Sequence, residues 1–334
     1  MPRGPRLDAP GTLHHVMARG IERASIFRDD ADRDDFLGRL GGLVISGAFT
    51  VYAWALLPNH FHLLVRSGNR PLARAMRSLL TGYAGAFNRR HKRHGHLFQN
   101  RYKSIVVEED PYFLELIRYL HLNPLRAGVV ASLRALDGYP YAGHAAILGT
   151  HPRPWQAAGE VLEHFGRNPA RARTAYRDFV SAGSGQGRRP DLQGGGLVRS
   201  QGGWEAVKDL RRSGEVSASD PRILGSSPFV EAMLQGAEQR RGLARRRLVP
   251  LETLIDRLGH SLGVPASAIL GSSRLPPAAR ARQVLAYVWV EHLGQSASEL
   301  AQALGQTRGN VSLAAKRGAA VAEPWQGHIA HWCR

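Results

Sequence analysis

The amino-acid sequence predicts an α+β fold in roughly its first 150 residues and an all-α fold in its last part. In the first part, β-branched and aromatic runs alternate with segments of helical periodicity. From about residue 225 onward only helical patterns occur, and a Gly-rich stretch at 183–196 stands between the two parts. We therefore expect a first domain at 1–150, a helical and Gly-rich connection at 151–224, and a helical domain at 225–334.

Each element of the first domain is expected from its local composition. Strands are predicted where β-branched and aromatic residues cluster, at 49–57, 60–67 and 102–108, and within 12–20, where a strand is followed by a basic turn. Helices are predicted where apolar residues recur at helical spacing, at 29–44, 71–93 and 111–122. Asp110 is expected to cap the third helix with Pro111 in its first position. Asn123 and Pro124 are expected to end that helix.

The last part of the chain contains the pattern of a helix-turn-helix. In "SASELAQALGQTRGNVSLAAKRGAA", Ser296 can cap a first helix and Gly305 can form the turn before a second one. The connecting segment carries two further helical patterns, "WQAAGEVLEHFG" and "ARARTAYRDFVSAG".

The charge of the chain favours a polyanionic partner. The formal net charge is +18 and the sequence pI is near 11.0. Residues 66–107 contain ten arginines and lysines and no Asp or Glu, which is typical of a surface that follows a phosphate backbone. The candidate DNA contacts in and near this segment are Arg19, Arg23, Arg89, Arg90, Arg93, Arg101 and Lys103.

The remaining composition excludes several classes of protein. The single cysteine, Cys333, excludes a disulfide framework and a CxxC metal site. No apolar run approaches the roughly 18 residues of a membrane span, and the N-terminal residues lack the apolar core of a signal peptide. We expect a soluble, cytoplasmic protein with no membrane partner.

The stretch "LLPNHFHLLV" at 56–65 places two histidines one residue apart in a predicted strand. Successive side chains of a strand alternate between its faces, so His60 and His62 project from the same side. Two neutral imidazoles in this arrangement can share one divalent metal if another element supplies a third ligand. The alternative is that both are ordinary polar residues on a hydrated strand face.

Tyr119 and Asn123 stand four residues apart and are expected on one face of the third helix. The phenol of tyrosine is a weak nucleophile unless a metal polarises its target and stabilises the leaving oxygen. A His-x-His strand that faces this helix would complete such a site, because the strand supplies metal ligands and the helix supplies the nucleophile. Tyr119 could instead be a core residue and Asn123 a simple helix stop. Other candidate nucleophiles are Tyr83, Tyr102 and Tyr112.

The motifs "LLPNHFHLLV", "GHLFQNRYKS" and "YLHLNPLRAG", in this order, resemble the single-tyrosine HUH transposases of the IS200 type. The resemblance is greatest to the REP-associated tyrosine transposases and covers roughly residues 5–145. It implies a ferredoxin-like catalytic domain that cuts and rejoins hairpin-bearing single-stranded DNA. It also implies a bacterial protein that associates with the nucleoid. Tyr119 would be the nucleophile that forms a 5′-phosphotyrosine. The ligands of Mg²⁺ or Mn²⁺ would be His60, His62 and Asn123.

Residues 264–317 resemble the C-terminal, Trp-repressor-like DNA-binding domain of the bacterial replication initiator DnaA. The resemblance lies in the "LGSSR" turn, the "ARQVLAYVW" helix and the helix-turn-helix that ends in "SLAAKR". DnaA proteins carry Asp-His-Thr-Thr at the start of the recognition helix, where this chain has "TRGNVS", so the sequence specificity of DnaA is not implied. The candidate contacts to duplex DNA are Arg308, Asn310 and Ser312.

Three hypotheses follow from the sequence. The first is a metal-dependent DNA transposase with an appended helix-turn-helix domain that recruits it to duplex DNA. The second is a domesticated, non-catalytic protein that binds repeat DNA, although the complete set of four site residues favours the enzyme. The third, a metal hydrolase, lacks an obvious carboxylate base or a third histidine ligand. The DNA target sequence, the oligomeric state and the choice between Mg²⁺ and Mn²⁺ stay open.

Overall fold

The structure, a computed structural model, describes residues 7–68, 71–187, 189, 192, 218–246, 249–271, 273 and 275–333. The chain forms two compact units, residues 1–237 and 238–334. The described residues contain one five-stranded sheet in the first unit and fifteen α-helices over both units. This confirms the predicted α+β fold with a helical region.

The sheet belongs to the first unit. Its strands are β1 (Leu13–Arg19), β2 (Phe49–Leu57), β3 (His60–Ser67), β4 (Lys103–Val107) and β5 (Ile223–Leu224). The first four agree with the predicted strands to within one residue at most ends. The two-residue β5 has no counterpart among the predictions because so short a strand has no periodicity.

The helices up to residue 182 all lie in the first unit. They are α1 (Asp30–Ile45), α2 (Leu72–Arg90), α3 (Glu109–His121), α4 (Asn123–Arg126), α5 (Leu133–Asp137), α6 (Gly143–Leu148), α7 (Ala158–Glu163) and α8 (Pro169–Ala182). A ninth helix, α9, spans Ser227–Arg246. Half of the Gly-rich stretch at 183–196 lies outside the described residues.

The sheet has the order β2-β3-β1-β4-β5. β1 pairs antiparallel with β3 and β4, and β3 pairs antiparallel with β2. Because α1 connects β1 to β2 and α2 connects β3 to β4, the first four strands follow the βαββαβ order of a ferredoxin-like fold. β5 extends this sheet by pairing parallel to β4.

Each face of the sheet is covered by different helices. Val16, Phe61 and Leu63 form one core with side chains of α1 and α2. Leu64 and Ile105 face the other way and form a second core with side chains of α3. The first four strands are therefore covered on both faces, and α3 lies over the face opposite α1 and α2.

Two helices just beyond residue 150, α7 and α8, belong to the same unit as the sheet. Val161 of α7 and Tyr176 of α8 are fully buried in the core that contains α3. The first compact unit thus continues past residue 150 and includes β5 and the first half of α9.

The boundaries of α3 differ from the prediction. The helix begins at Glu109 rather than after Asp110, so Pro111 lies third in the helix. Pro111 is tolerated there because the first turn of a helix has no internal partners for its N–H groups. The helix ends at His121, and Leu122, with helical φ and ψ, connects it to α4, which begins at Asn123.

The second unit is helical. Its helices are α10 (Leu251–Leu262), α11 (Ala266–Leu270), α12 (Pro276–Ala286), α13 (Ala297–Ala303), α14 (Arg308–Val321) and α15 (Gln326–Trp332), with a π-helical segment at Tyr287–His292. Among the described helices, none combines the length and the apolar composition that crossing a membrane requires.

The predicted helix caps of this unit are present. Ser296 accepts hydrogen bonds from the backbone of Ser298 and Glu299 at the start of α13. Gly305, with φ of +59°, forms the turn before α14. Arg282 of α12 donates hydrogen bonds to the carbonyl of Ala268 in α11 and to those of Gly271 and Ser273 after it, so the "ARQVL" helix is tied to the segment that follows α11.

Candidate functional site

His60 and His62 lie side by side on the sheet face that α3 covers. In the pairing of β1 with β3, His60 is opposite Arg19 and His62 is opposite Met17. The centroids of the two imidazole rings are 5.1 Å apart. Both rings line a cleft of about 300 Å³, together with Arg19, Arg101 and Lys103. The two histidines therefore lie beside three of the basic side chains that the sequence singled out.

The ring orientation of His60 is fixed by Asn59. Nδ1 of His60 lies 2.6 Å from Oδ1 of Asn59, and Nδ2 of Asn59 donates to the carbonyl of Arg23 at 3.0 Å. Because an amide oxygen only accepts, Nδ1 of His60 carries the proton. The neutral ring then has its lone pair on Nε2, the atom that can bind a metal.

His62 is held by a third histidine that the sequence analysis did not select. Nε2 of His15, on β1, lies 2.9 Å from Nδ1 of His62. His15 is fully buried. No described residue hydrogen bonds to Nε2 of His60 or of His62. Both Nδ1 atoms are thus engaged, and both Nε2 atoms are left as potential ligands.

Tyr119 faces the same histidines from α3. The centroid of its ring is 6.4 Å from that of His62 and 6.5 Å from that of His15. The residue is 5% exposed. The guanidinium of Arg126 lies over the Tyr119 ring, 5.4 Å from its centroid. The phenol ring thus has both neutral imidazoles and a cation as neighbours.

Asn123 is also buried, and it is the first residue of α4. Its Nδ2 has no hydrogen-bond partner among the described residues. A buried N–H without a partner costs free energy, and a metal bound through the amide oxygen would not relieve that cost. The role of Asn123 as an amide ligand beside the two imidazoles stays a prediction.

The candidate ligands are uncharged at neutral pH. Burial lowers the pKa of His60 to about 4, and the positive charge of Arg19 acts in the same direction. Burial also lowers the pKa of His62 well below its ordinary value, with smaller effects from His15 and His60. Neutral imidazole is the form that binds metal ions, so protons do not compete for these nitrogens near pH 7.

The other tyrosines have different surroundings. Tyr83 is buried in the core beneath α1 and α2, and its hydroxyl donates to the carbonyl of Ile26. Burial raises the pKa of this phenol. Tyr102 is buried in the same core, and Tyr112 is half-buried at the start of α3.

His121 belongs to a hydrogen-bond network separate from the two imidazoles. Its Nδ1 lies 2.6 Å from the hydroxyl of Tyr176, which is 2.9 Å from Nδ1 of His144. Nε2 of His144 donates to Asp137 at 2.9 Å. This buried chain of hydrogen bonds connects the end of α3 to α6 and α8.

The predicted DNA contacts of the first unit have different environments. Arg19, Arg23, Arg89, Arg101 and Lys103 are exposed, and Arg93 is half-buried and donates to Oδ1 of Asn88. Arg90 pairs with Asp29 at 2.8 Å and with Asp32 at 3.3 Å. Its charge is therefore already matched by carboxylates.

Asp29, Asp32 and His91 form a second cluster whose composition could suit a cation. Asp32 is buried and accepts from His91 at 2.8 Å and from the backbone of Arg28 at 2.9 Å. Arg90 supplies a positive charge to the same carboxylates. The cluster thus joins the start of α1 to the end of α2 through ion pairs.

A groove of about 800 Å³ lies between α2 and the segment 95–102. Its walls include apolar side chains such as Met76 and Leu80, and polar ones such as Asn88. Gln99, Asn100 and Arg101 line both this groove and the cleft with the histidines.

The comparison with sequence families gives one match, and it lies within the first unit. Residues 11–123 match the family described as "Transposase IS200 like". The matched segment includes His60, His62, Tyr119 and Asn123. Over this segment the chain is similar to IS200-like transposases, as the sequence motifs predicted. The match does not extend to the second unit, where the resemblance to DnaA stays a prediction.

One solved structure with a similar fold is described as "Structure of the REP associates tyrosine transposase bound to a REP hairpin". It shares 14% sequence identity with the chain, and the TM-score is 0.38. The alignment covers 47% of this chain and 90% of that one. No curated protein sequence matches the chain.

Proposed function

We propose that the protein is a metal-dependent DNA strand transferase that cuts and rejoins hairpin-bearing single-stranded DNA through Tyr119. The observation that carries the proposal is the shared face of the sheet: the rings of His60, His62 and Tyr119 adjoin there, beside a cleft lined by basic side chains. The IS200-like family of residues 11–123 supports the same reaction class.

The metal, Mg²⁺ or Mn²⁺, would be held by Nε2 of His60, Nε2 of His62 and the amide oxygen of Asn123. When bound, the ion would polarise the phosphodiester and stabilise the charge that develops on the leaving oxygen. Mn²⁺ accepts nitrogen ligands more readily than Mg²⁺, so it is the better probe of this site.

The chain's own residues then carry out the transfer. The Tyr119 oxygen bonds to phosphorus, the bond from phosphorus to the 3′ oxygen breaks, and the phenol proton is lost while the 3′ oxygen gains one. The products are a 5′-phosphotyrosine and a free 3′-OH. Attack of a 3′-OH on this phosphotyrosine reverses the step and joins strands without ATP. Arg19, Arg101 and Lys103 would attract and orient the phosphates.

The single strand would reach Tyr119 along the groove between α2 and the segment 95–102. The groove is large enough for nucleotides, and Gln99, Asn100 and Arg101 line both the groove and the cleft. Apolar walls are suited to stacking against bases. The amide and guanidinium groups beside them are suited to binding phosphates.

The second unit would recruit the enzyme to duplex DNA through α14. The exposed side chains of this helix include Arg308, Asn310, Lys316 and Arg317, while Ser312 is half-buried. The chain has no Asp or Glu between Glu299 and Glu323. A helix that follows a tight turn and exposes only neutral and basic residues fits a phosphate-lined major groove.

The decisive experiment uses a labelled hairpin-bearing single strand, Mn²⁺ and the full-length protein. We expect a covalent adduct that protease digestion removes and that is absent in Tyr119→Phe. The matched control is Tyr112→Phe on the same helix, which should form the adduct at the wild-type level. An adduct that persists in Tyr119→Phe would overturn the choice of nucleophile. Tight hairpin binding by the wild type without any adduct would favour the non-catalytic, domesticated alternative.

A further inference from the structure

We propose that His15 is a positioning residue that sets the tautomer of His62 and thereby directs Nε2 of His62 toward the metal. The inference rests on the proposed function, in which His60 and His62 are metal ligands. It concerns a residue whose contact with His62 depends on strand pairing and is not visible in the local sequence.

The sheet places His15 beside His62. His15 is directly opposite Leu64 in the pairing of β1 with β3, and His62 is opposite Met17, two residues away on the same face. Such diagonal neighbours are within reach of long or aromatic side chains. The two rings are nearly stacked, with centroids 5.2 Å apart and planes at 30°.

The hydrogen bond between the rings has two possible polarities. Both rings are buried, which disfavours the charged forms, so a single proton lies between Nε2 of His15 and Nδ1 of His62. If Nδ1 of His62 donates, then Nε2 of His62 has the lone pair and can bind a metal. If Nε2 of His15 donates, then Nε2 of His62 carries a proton and cannot.

His15 therefore has to be the acceptor for the site to work. Asn59 shows the same arrangement on the neighbouring ligand, since its amide oxygen accepts from Nδ1 of His60. An acceptor behind each metal-binding imidazole fixes the ring and raises the basicity of the ligating nitrogen. His15 is the only described residue that hydrogen bonds to the His62 ring.

The test compares His15→Leu with His14→Leu in the full-length protein. His14 is an equally buried neighbour on the opposite face of β1, where its ring nitrogens bond to Thr12 and Ser104. We expect His15→Leu to weaken Mn²⁺ binding, measured by calorimetry, about 10- to 100-fold. His14→Leu should change it less than about twofold, and His15→Gln, which restores an acceptor, should recover part of the loss.

A second measurement needs no metal. The ¹⁵N chemical shifts of the His62 ring in the metal-free protein report which nitrogen carries the proton. We expect the proton on Nδ1 in the wild type and in His15→Gln, and a mixture of tautomers in His15→Leu. Circular dichroism melting checks that each variant folds.

The outcomes separate this inference from the proposed function. If the wild type binds Mn²⁺ and His60→Ala does not, but His15→Leu binds like the wild type, the role of His15 is wrong and the metal site stands. Equal losses in His14→Leu and His15→Leu would also overturn it, because they would indicate general packing. If the wild type and His60→Ala show the same Mn²⁺ binding, the metal site itself fails, and the inference fails with it.

Discussion

At the scale of single residues, the first unit buries several histidines in the uncharged state. Burial lowers the pKa of His14 to about 4 and that of His15 to about 3. His144 is also buried, and its pKa is lowered by burial although Asp137 opposes the shift. Each of these rings is hydrogen bonded as a neutral group, so none of them needs a counter-ion.

This burial predicts an acid-sensitive fold. The unfolded chain binds a proton on each histidine below pH 6.5, whereas folded His14 stays neutral down to about pH 4. Above pH 6.5 the neutral state of His14 does not lower the free energy of unfolding. As the pH falls from 6.5 toward 4, each such histidine lowers the free energy of unfolding by about 1.4 kcal/mol per pH unit.

The contribution of His14 can be isolated with His14→Gln. Urea unfolding at pH 7, 6 and 5 should show a shallower fall in the free energy of unfolding for the variant than for the wild type. If the two units unfold in separate transitions, the transition whose midpoint His14→Gln shifts at pH 7 is that of the first unit. Parallel pH dependences for the two proteins would contradict the assignment.

At the scale of elements, local composition was enough to predict most of the strands and helices that position the site. The strand of His60 and His62 and the helix of Tyr119 were both expected, because each has a clear periodicity. His15 was missed because its importance depends on the pairing of β1 with β3, about which the residues around "LHHV" carry no information. Arg90 looked like a phosphate contact because its carboxylate partners lie about sixty residues earlier in the chain.

Helix α14 is fixed by a close contact with α12. A Cβ at Gly318 would come within 2.1 Å of the carbonyl oxygen of Gln283, so only glycine allows this approach. The inner face of α14 is completed by Val311 and Ala315, both fully buried. The outer face exposes Leu313, Lys316 and Arg317, and Leu313 is 48% exposed.

The outer face of α14 predicts a defined salt dependence of duplex binding. Replacing Lys316 and Arg317 together by Gln should weaken binding to duplex DNA of any sequence. The slope of log affinity against log salt concentration should fall by about 0.9 for each lost phosphate contact. Fluorescence anisotropy at several salt concentrations measures both quantities. Arg280→Gln, an exposed change on α12, is the control, and an equal fall in slope for it would contradict a specific role of α14.

At the scale of the whole molecule, the first unit extends past residue 225, where the purely helical part of the sequence begins. Ile223 and Val230 are fully buried in a cluster with Leu7 and Val106. Glu108 accepts hydrogen bonds from the backbone and the hydroxyl of Ser226 at 2.6 and 3.0 Å. Residues 218–237 are therefore part of the sheet unit.

This predicts where the chain can be divided. A fragment of residues 1–237 should melt cooperatively, bind Mn²⁺ and cleave single strands, while losing affinity for duplex DNA. A fragment of residues 1–222 lacks β5 and exposes Val106 and the edge of β4, so it should melt at a lower temperature and aggregate. Thermal melting and size-exclusion chromatography compare the two. Equal melting temperatures would show that β5 contributes nothing to the unit.

The parallel pairing of β4 with β5 has a consequence for synthesis on the ribosome. Glu108 and Ser226 are 118 residues apart, so β4 leaves the exit tunnel long before its last neighbour is made. At ordinary rates of translation this delay is roughly 6–24 s. During that time the nascent chain presents an open β-edge, and a chaperone that shields such edges would be expected to raise the yield of native protein.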